Sequence, residues 1–375
     1  MSDHIPFEIQ IEIMKRFPVK SLMRFRSVSK HWKSLIDSSR FVSDYSIGET
    51  QRCLFIMSDD PSEGGMRYVS IVDDDNFPKQ MCDMSAILPN SAKQSTTLRL
   101  VGSSQGLLCL YTGSSAIIWN PWIRKSVTVI FPNFDNGNFE RVVGFGVCPK
   151  TSDPKLVRLS FPQKSLENET WKLEVFSLSS GLWRTRLLSK ISDLLCRSFK
   201  LSSRSECVDG LIYWCASNKD DDTNPSRVII SFDLTREEFG VIYLPDSLAR
   251  YRILDLSKHR ESLVLFPYDY NIVKYGYDVW MMEGGVKSSF KKLFTINTNY
   301  DLVTPMAISY NGKVVLEMID TYTQDVSSVA IYEPSSKRFK WTTITGTFGE
   351  ISVNSYMETM LLHDYRVGMG NWILL

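Results

Sequence analysis

"AIIWNPWIRKSVTVI", residues 116–130, is a short apolar run ending in Trp119, a turn around Asn120-Pro121, and a second run with alternating apolar residues. That is the pattern of two strands joined by a tight connection. It recurs as "LEVFSLSSGLWRTRLL" (173–188), "IISFDLTREEFGVIYLP" (229–245), "YDVWMMEGGVKSSFKKLFTI" (277–296) and "VAIYEPSSKRFKWTTI" (329–344). The leading aromatics are Trp119, Phe176, Phe232, Trp280 and Tyr332, roughly 50 residues apart. Before each lies a second pair of strand-like runs, among them "GLLCLY", "LVRLSF" and "GLIYWCAS". Four strands per repeat of this length predict the blades of a β-propeller. Five blades are visible between residues 98 and 362. "RCLFIMS" (52–58) and "RYVSIVDD" (67–74) supply a sixth by pairing with "SVNSYMETMLLH" (352–363), which closes the ring and removes the sheet edges. The expectation is a small all-α N-terminal module followed by an all-β, six-bladed propeller. Two stacked β-sandwiches are the alternative, and the sustained repeat disfavours them.

Apolar residues make up 43% of the 375-residue chain and charged residues 23%, values ordinary for a globular protein. The net charge of +1 conceals a local asymmetry: residues 1–42 carry eight Lys/Arg against four acids, and the remainder is net negative. The basic front therefore suits an acidic partner. Seven scattered cysteines without a C-x-x-C pair point to reduced thiols, as in cytoplasm or nucleus. No signal-peptide pattern and no bilayer-length apolar run is found, and Asn168-Glu169-Thr170 reads as a chance sequon.

The basic front is helical in pattern. Asp3 is placed to cap a helix starting near Pro6, with Ile5, Ile9, Ile13 and Phe17 recurring every four residues. Pro18 breaks it and opens a second helix with Val19, Leu22, Met23 and Phe25. A third carries Val28, Trp32, Leu35 and Ile36 on one face, and Phe41-Val42 close the unit. About 40 residues bury too little surface to stand alone, so part of this apolar surface belongs to an interface. Burial of Trp32 alone, over roughly 200 Å2, is worth up to about 5 kcal/mol. A helical cap on the propeller, a DNA-reading helix-turn-helix, a membrane-surface helix and a docking module for an acidic partner all compete for this pattern. The third helix has few polar side chains to read bases, and Pro18 interrupts any long amphipath. A docking module fits best.

Residues 5–42, "IPFEIQIEIMKRFPVKSLMRFRSVSKHWKSLIDSSRFV", resemble the F-box, the module by which substrate receptors bind the Skp adaptor of cullin-based ubiquitin ligases. The match runs through Ile5-Pro6, Ile13-Met14, Phe17-Pro18, the V-K-S-L run at Val19–Leu22, R-F-R at Arg24–Arg26, V-x-K-x-W on Val28, Lys30 and Trp32, and Leu35-Ile36. Ser27 stands where plant relatives often carry Cys. The remainder resembles the F-box-associated domain of large plant F-box families, S-locus and kelch-like groups included. "VGSSQGLLCL", "WNPWIRK", "GFGVCP", "VDGLIYW", "SFDLTREEF" and "NSYMETMLL" carry that likeness.

The resemblance implies a substrate-recognition subunit of a Skp–cullin–F-box ubiquitin ligase, partnered through Skp with cullin and a RING subunit and holding a target protein not named by the sequence. Adaptor contact is implied for Ile5, Pro6, Ile9, Ile13, Pro18, Val19, Leu22, Phe25, Val28, Trp32, Leu35 and Ile36, some of which must form the module's own core. The expected organisation is an F-box over 1–45, a linker and first propeller strands over 46–97, and the F-box-associated propeller over 98–375, its ring closed by strands from 50–75. Neither nucleic acid nor membrane is an expected partner. An adaptor-bound assembly protein outside any ligase, or a propeller binding a glycan or small molecule, are the alternatives.

Catalysis is not expected. Four histidines (His4, His31, His259, His363) lack metal-ligand spacing and read as F-box, surface or strand-end residues. "GFGVCP" lacks the third glycine and helix of a nucleotide fingerprint, and "VGSSQG" lacks the Lys-Ser/Thr of a phosphate loop. Asp73–Asp75 and Asp220–Asp222 read as acidic turns, without the spaced oxygens of a calcium loop. No cofactor and no metal are implied, and target preference is expected in loops such as "SNKDDDTN".

Overall fold

A computed structural model describes residues 5–45, 50–60, 64–95, 97–132, 139–162, 171–188, 199–218, 227–249, 251–268, 276–284, 289–298, 300, 302–319, 326–363 and 372–373. The first block forms α1 (Phe7–Lys15), α2 (Val19–Val28), α3 (Lys30–Ile36) and α4 (Ser39–Tyr45). Pro6 and Pro18 immediately precede α1 and α2, where a ring-fixed φ suits entry into a helix. The expected Asp3 cap lies outside the described residues. Two features differ from the sequence expectation. Ser29 is extended (φ −140, ψ 133) and its hydroxyl accepts the Trp32 N–H at 3.4 Å, so α3 starts afresh. Val28 therefore ends α2, 76% exposed, instead of sharing a face with Leu35 and Ile36. The Phe41-Val42 segment is not a closing tail but part of the fourth helix.

The rest is β. Among the described residues there are six sheets. The chain first lays down β1 (Arg52–Asp60), β2 (Gly65–Val72) and β3 (Met81–Asp83), the outer three strands of one blade. Next come β4 (Arg99–Ser104), β5 (Leu107–Tyr111), β6 (Ser115–Asn120) and β7 (Lys125–Ile130), then β8 (Phe139–Val147), β9 (Pro154–Pro162), β10 (Trp171–Ser177) and β11 (Leu182–Leu188). A further blade is β12 (Phe199–Val208), β13 (Leu211–Asn218), β14 (Arg227–Asp233) and β15 (Glu238–Tyr243). It is followed by β16 (Ile253–His259), β17 (Ser262–Tyr268), β18 (Gly276–Glu283) and β19 (Ser289–Asn297). The last complete run is β20 (Val303–Ile308), β21 (Val314–Ile319), β22 (Val326–Glu333) and β23 (Arg338–Thr347). β24 (Ser352–Met357) returns to pair antiparallel with β1, Cys53 opposite Tyr356 and Phe55 opposite Asn354, and so closes the ring. The chain is thus an F-box-like set of short helices on an all-β six-bladed propeller.

The repeating aromatics explain the blades. Trp119, Phe176, Phe232, Trp280 and Tyr332 fall on β6, β10, β14, β18 and β22, the third strand of each of five blades. Three of them face an aromatic across the hairpin: Phe176–Trp183, Phe232–Phe239 and Tyr332–Phe339, with centroids 5.3, 4.8 and 5.1 Å apart. Such cross-strand pairs contribute beyond their burial. The connecting turns share one left-handed residue at the same offset, at Arg124, Gly181, Glu237 and Lys337. Six buried apolar clusters each join neighbouring blades, so the core is a ring of interfaces and not one centre. The two glycines of "GFGVCP" serve this packing on β8. A Cβ on Gly144 would lie 2.4 Å from Trp214 of the next blade, and one on Gly146 would lie 2.6 Å from Cys207 Sγ.

Candidate functional site

The helical module sorts its apolar residues into two sets. Val19, Leu22, Leu35 and Ile36 are buried with Met14, Phe41 and Tyr45. Ile9 (51%), Ile13 (44%) and Ile5 on the α1 row stay exposed, as do Phe7, Phe17 and Val28. Pro6 and Pro18 are also exposed, while Phe25 and Trp32 are half-buried. Phe17, Phe25 and Trp32 stack edge to face in sequence, each pair with centroids 5.3 Å apart. An exposed aliphatic row beside an aromatic ladder is an unusual cost for a small module in water. Its charges are partly committed internally: Arg26 grips Asp37 with two hydrogen bonds (2.5 and 2.9 Å), and Lys15 reaches Asp44 at 2.9 Å. Arg16, Lys20, Arg24, Lys30, Lys33 and Arg40 remain exposed and cationic.

The buried side rests on the propeller. Met360 is fully buried in the module's cluster, and Trp122 and Ile123, from the β6–β7 turn, pack against it. Asn120 organises that seat: its Nδ2 donates to the carbonyls of Thr359 (2.9 Å) and Leu361 (2.8 Å), and its Oδ1 accepts the Trp122 N–H at 3.0 Å. Pro18 leaves the Val19 N–H at a helix start, and Glu358 Oε1 accepts it at 2.6 Å. His363 is buried, with Nε2 3.2 Å from Asp37 Oδ1. The expectation of a surface or strand-end histidine is corrected there; His259 does end β16, its Nδ1 2.9 Å from the Ser309 carbonyl oxygen. Asn120, Trp122, Ile123, Glu358 and Met360 bear the module although no periodicity in the sequence marks them. For Asn120, Trp122 and Ile123 the signal is the bulky "NPWI" turn where other blades carry small or charged residues; Glu358 and Met360 carry none.

Between module and propeller opens a cleft of about 970 Å3 over the inner ends of the blades. Its lining includes the Gln105-Gly106 and Asp209-Gly210 turns, whose left-handed residues make tight hairpins. Asp73 is not the solvated turn residue expected: it is buried, and its Oδ2 accepts the Tyr310 N–H at 2.5 Å. Asp220–Asp222 and the sequon lie outside the described residues, as does the "SNKDDDTN" loop beyond Asn218. Deeper, Glu206 is buried 3.7 Å from Lys258 and accepts from Asn354 at 3.3 Å. Burial pushes its carboxyl up to about 7, against the pull of Lys258 and Asn354. A raised carboxyl binds its proton more tightly folded than unfolded, so its contribution to stability is full below 4.5 and is lost as pH rises to about 7. Glu206→Gln is therefore expected to gain stability relative to the parent between pH 5 and pH 8. Urea midpoints at the two pH values read this directly; a constant difference would contradict it.

Comparison with known families decides what the module and ring are. The F-box domain family matches residues 2–44, and the F-box associated beta propeller domain family matches residues 52–366. The chain belongs to the F-box proteins with an F-box associated propeller. It is similar to an F-box/kelch-repeat protein of Arabidopsis thaliana, 25% identical across 96% of this chain and 95% of that one. Another F-box protein of the same plant is 26% identical across 90% of this chain and 87% of its own.

For the F-box, the twelve residues singled out from the sequence thus divide by position. Ile5, Pro6, Ile9, Ile13, Pro18 and Val28 face solvent, Phe25 and Trp32 are at the boundary, and Val19, Leu22, Leu35 and Ile36 sit in the core against the propeller. Among the described residues no group of His, Cys, Asp and Glu is arranged to hold a metal, and no helix is long and apolar enough to cross a membrane.

Proposed function

We propose that this F-box protein is the non-catalytic substrate receptor of a Skp–cullin–F-box ubiquitin ligase, acting in cytoplasm or nucleus. The observation that carries the reading is the exposed Ile5, Ile9 and Ile13 row on a module whose other face is already committed to the propeller. An apolar strip left in water on so small a unit is explained by a partner that covers it. The Skp adaptor is that partner, and the exposed cations of the F-box favour encounter with an acidic surface. Fixing the F-box to the blades through Asn120, Met360 and Glu358 holds the propeller at a set orientation to the adaptor and cullin. A target bound by the propeller is then kept near the ubiquitin-charged enzyme, and the rate gain is one of proximity, with no acid or base from this chain.

Affinity capture of the full chain from a plant cell extract tests this: Skp adaptor, cullin and RING subunit are expected together. Recovery of adaptor without cullin would favour an assembly role outside the ligase, and recovery of neither from folded protein would overturn the reading.

A further inference from the structure

The cleft beneath the F-box carries an arrangement that adaptor docking does not use. Tyr310, in the turn between β20 and β21, has two guanidinium groups over its ring: Arg52 Cζ at 3.7 Å and Arg260 Cζ at 4.8 Å from the centroid. All three residues line the cleft. The two positive centres lie within about 10 Å of each other, a Debye length at 0.1 M salt, so they repel appreciably. Among the described residues no carboxylate forms an ion pair with either. Of the acids in the lining, Asp37 is taken by Arg26 and His363, and Asp73 is turned to the Tyr310 N–H. Burial pushes the Asp73 carboxyl up, against the pull of the Tyr310 N–H, Ser309, Lys313 and Arg52. Asp209 and Glu261 stand exposed on the rim turns.

Stacking occupies a guanidinium's face and leaves its in-plane N–H groups free to donate, in the fork geometry that suits phosphate oxygens. Arg260 is held at φ 54 by a two-residue turn, an unfavourable conformation for a long side chain that fixes where the guanidinium starts. A cleft of about 970 Å3 is at the upper end of the range for small-molecule sites. Asp37 and Val42 of the F-box form part of its wall, which favours a compact ligand over a long polymer.

We propose that the cleft between F-box and propeller binds a small, multiply charged, phosphate-bearing molecule, held by Arg52 and Arg260 around Tyr310. All three groups belong to the propeller, so the blades alone hold the ligand. The site needs no adaptor, so it stands or falls separately from the ligase reading.

Calorimetric titration of the full chain with inorganic tripolyphosphate at about 0.1 M salt tests it. One saturable site is expected, with affinity reduced about tenfold or more by Arg260→Asn and by Arg52→Gln, and abolished by both. Asn tolerates the left-handed turn, so Arg260→Asn keeps the fold even if Arg52→Gln disturbs it. Lys79→Gln, outside the cleft lining, is expected to leave affinity unchanged. No saturable binding up to millimolar probe, unchanged affinity in Arg260→Asn, or an equal loss in Lys79→Gln would overturn the proposal.

Discussion

Ile9→Glu combined with Ile13→Glu is expected to weaken binding of a Skp adaptor on the order of 1,000-fold while leaving the thermal midpoint of the chain nearly unchanged. Both side chains are about half exposed on α1, so the free protein loses little by their replacement. In an interface that covers the row, each new carboxylate is desolvated without a partner, at a cost of at least about 2 kcal/mol apiece. Leu35→Ala, by contrast, empties a site shared with Ile36, Phe41 and Met360. It is expected to unseat the F-box from the blades and lower stability as well as binding. Adaptor titration beside thermal melting separates the two cases. Equal binding by the double Glu variant and its parent would show that the α1 row is not the docking face.

The largest expected effect on stability lies in the propeller. Arg158 and Glu174, on neighbouring strands β9 and β10, are nearly inaccessible, with Arg158 Nε 2.5 Å from Glu174 Oε2. The same guanidinium donates to the Pro132 carbonyl at 2.6 Å and lies over the Phe131 ring at 4.8 Å. Glu174→Ala leaves a guanidinium buried without its carboxylate and is expected to cost about 3–5 kcal/mol, a large share of a typical folding free energy. Replacing both residues by Met and Leu is expected to cost less, because it removes the charge as well as its partner. Urea midpoints of the parent, single and double variants measure the difference. A single variant no less stable than the double would show that the pair is solvated.

The propeller was readable because its signal is local and repeated. An aromatic on the third strand, a turn with a left-handed residue and an answering strand are all set within about 15 residues, and the ring multiplies them. The F-box helices were readable for the same reason, through Pro6, Pro18 and four-residue spacing. Legibility failed where a contact is distant in sequence. Whether Ile9 or Leu22 faces solvent is decided by Trp122, Ile123 and Met360, more than 80 residues away, and no periodicity within the F-box encodes that. Val28 leaves the face its spacing predicts because the single extended residue Ser29 shifts the helical phase. Asp73 and His363 read as surface residues because composition marks polarity, whereas the partners that accompany their burial, the Tyr310 N–H and Asp37, are distant in sequence.

The most direct test of an F-box with one face spent on the propeller and the other open to an adaptor is amide hydrogen exchange on the intact chain with and without saturating Skp adaptor. Protection is predicted for α1 and for the segment from Phe25 to Trp32, with the β6–β7 turn and residues 358–363 already protected in the free chain and unchanged. Protection that appears instead on the blades, or none in α1 despite a folded chain, would contradict it.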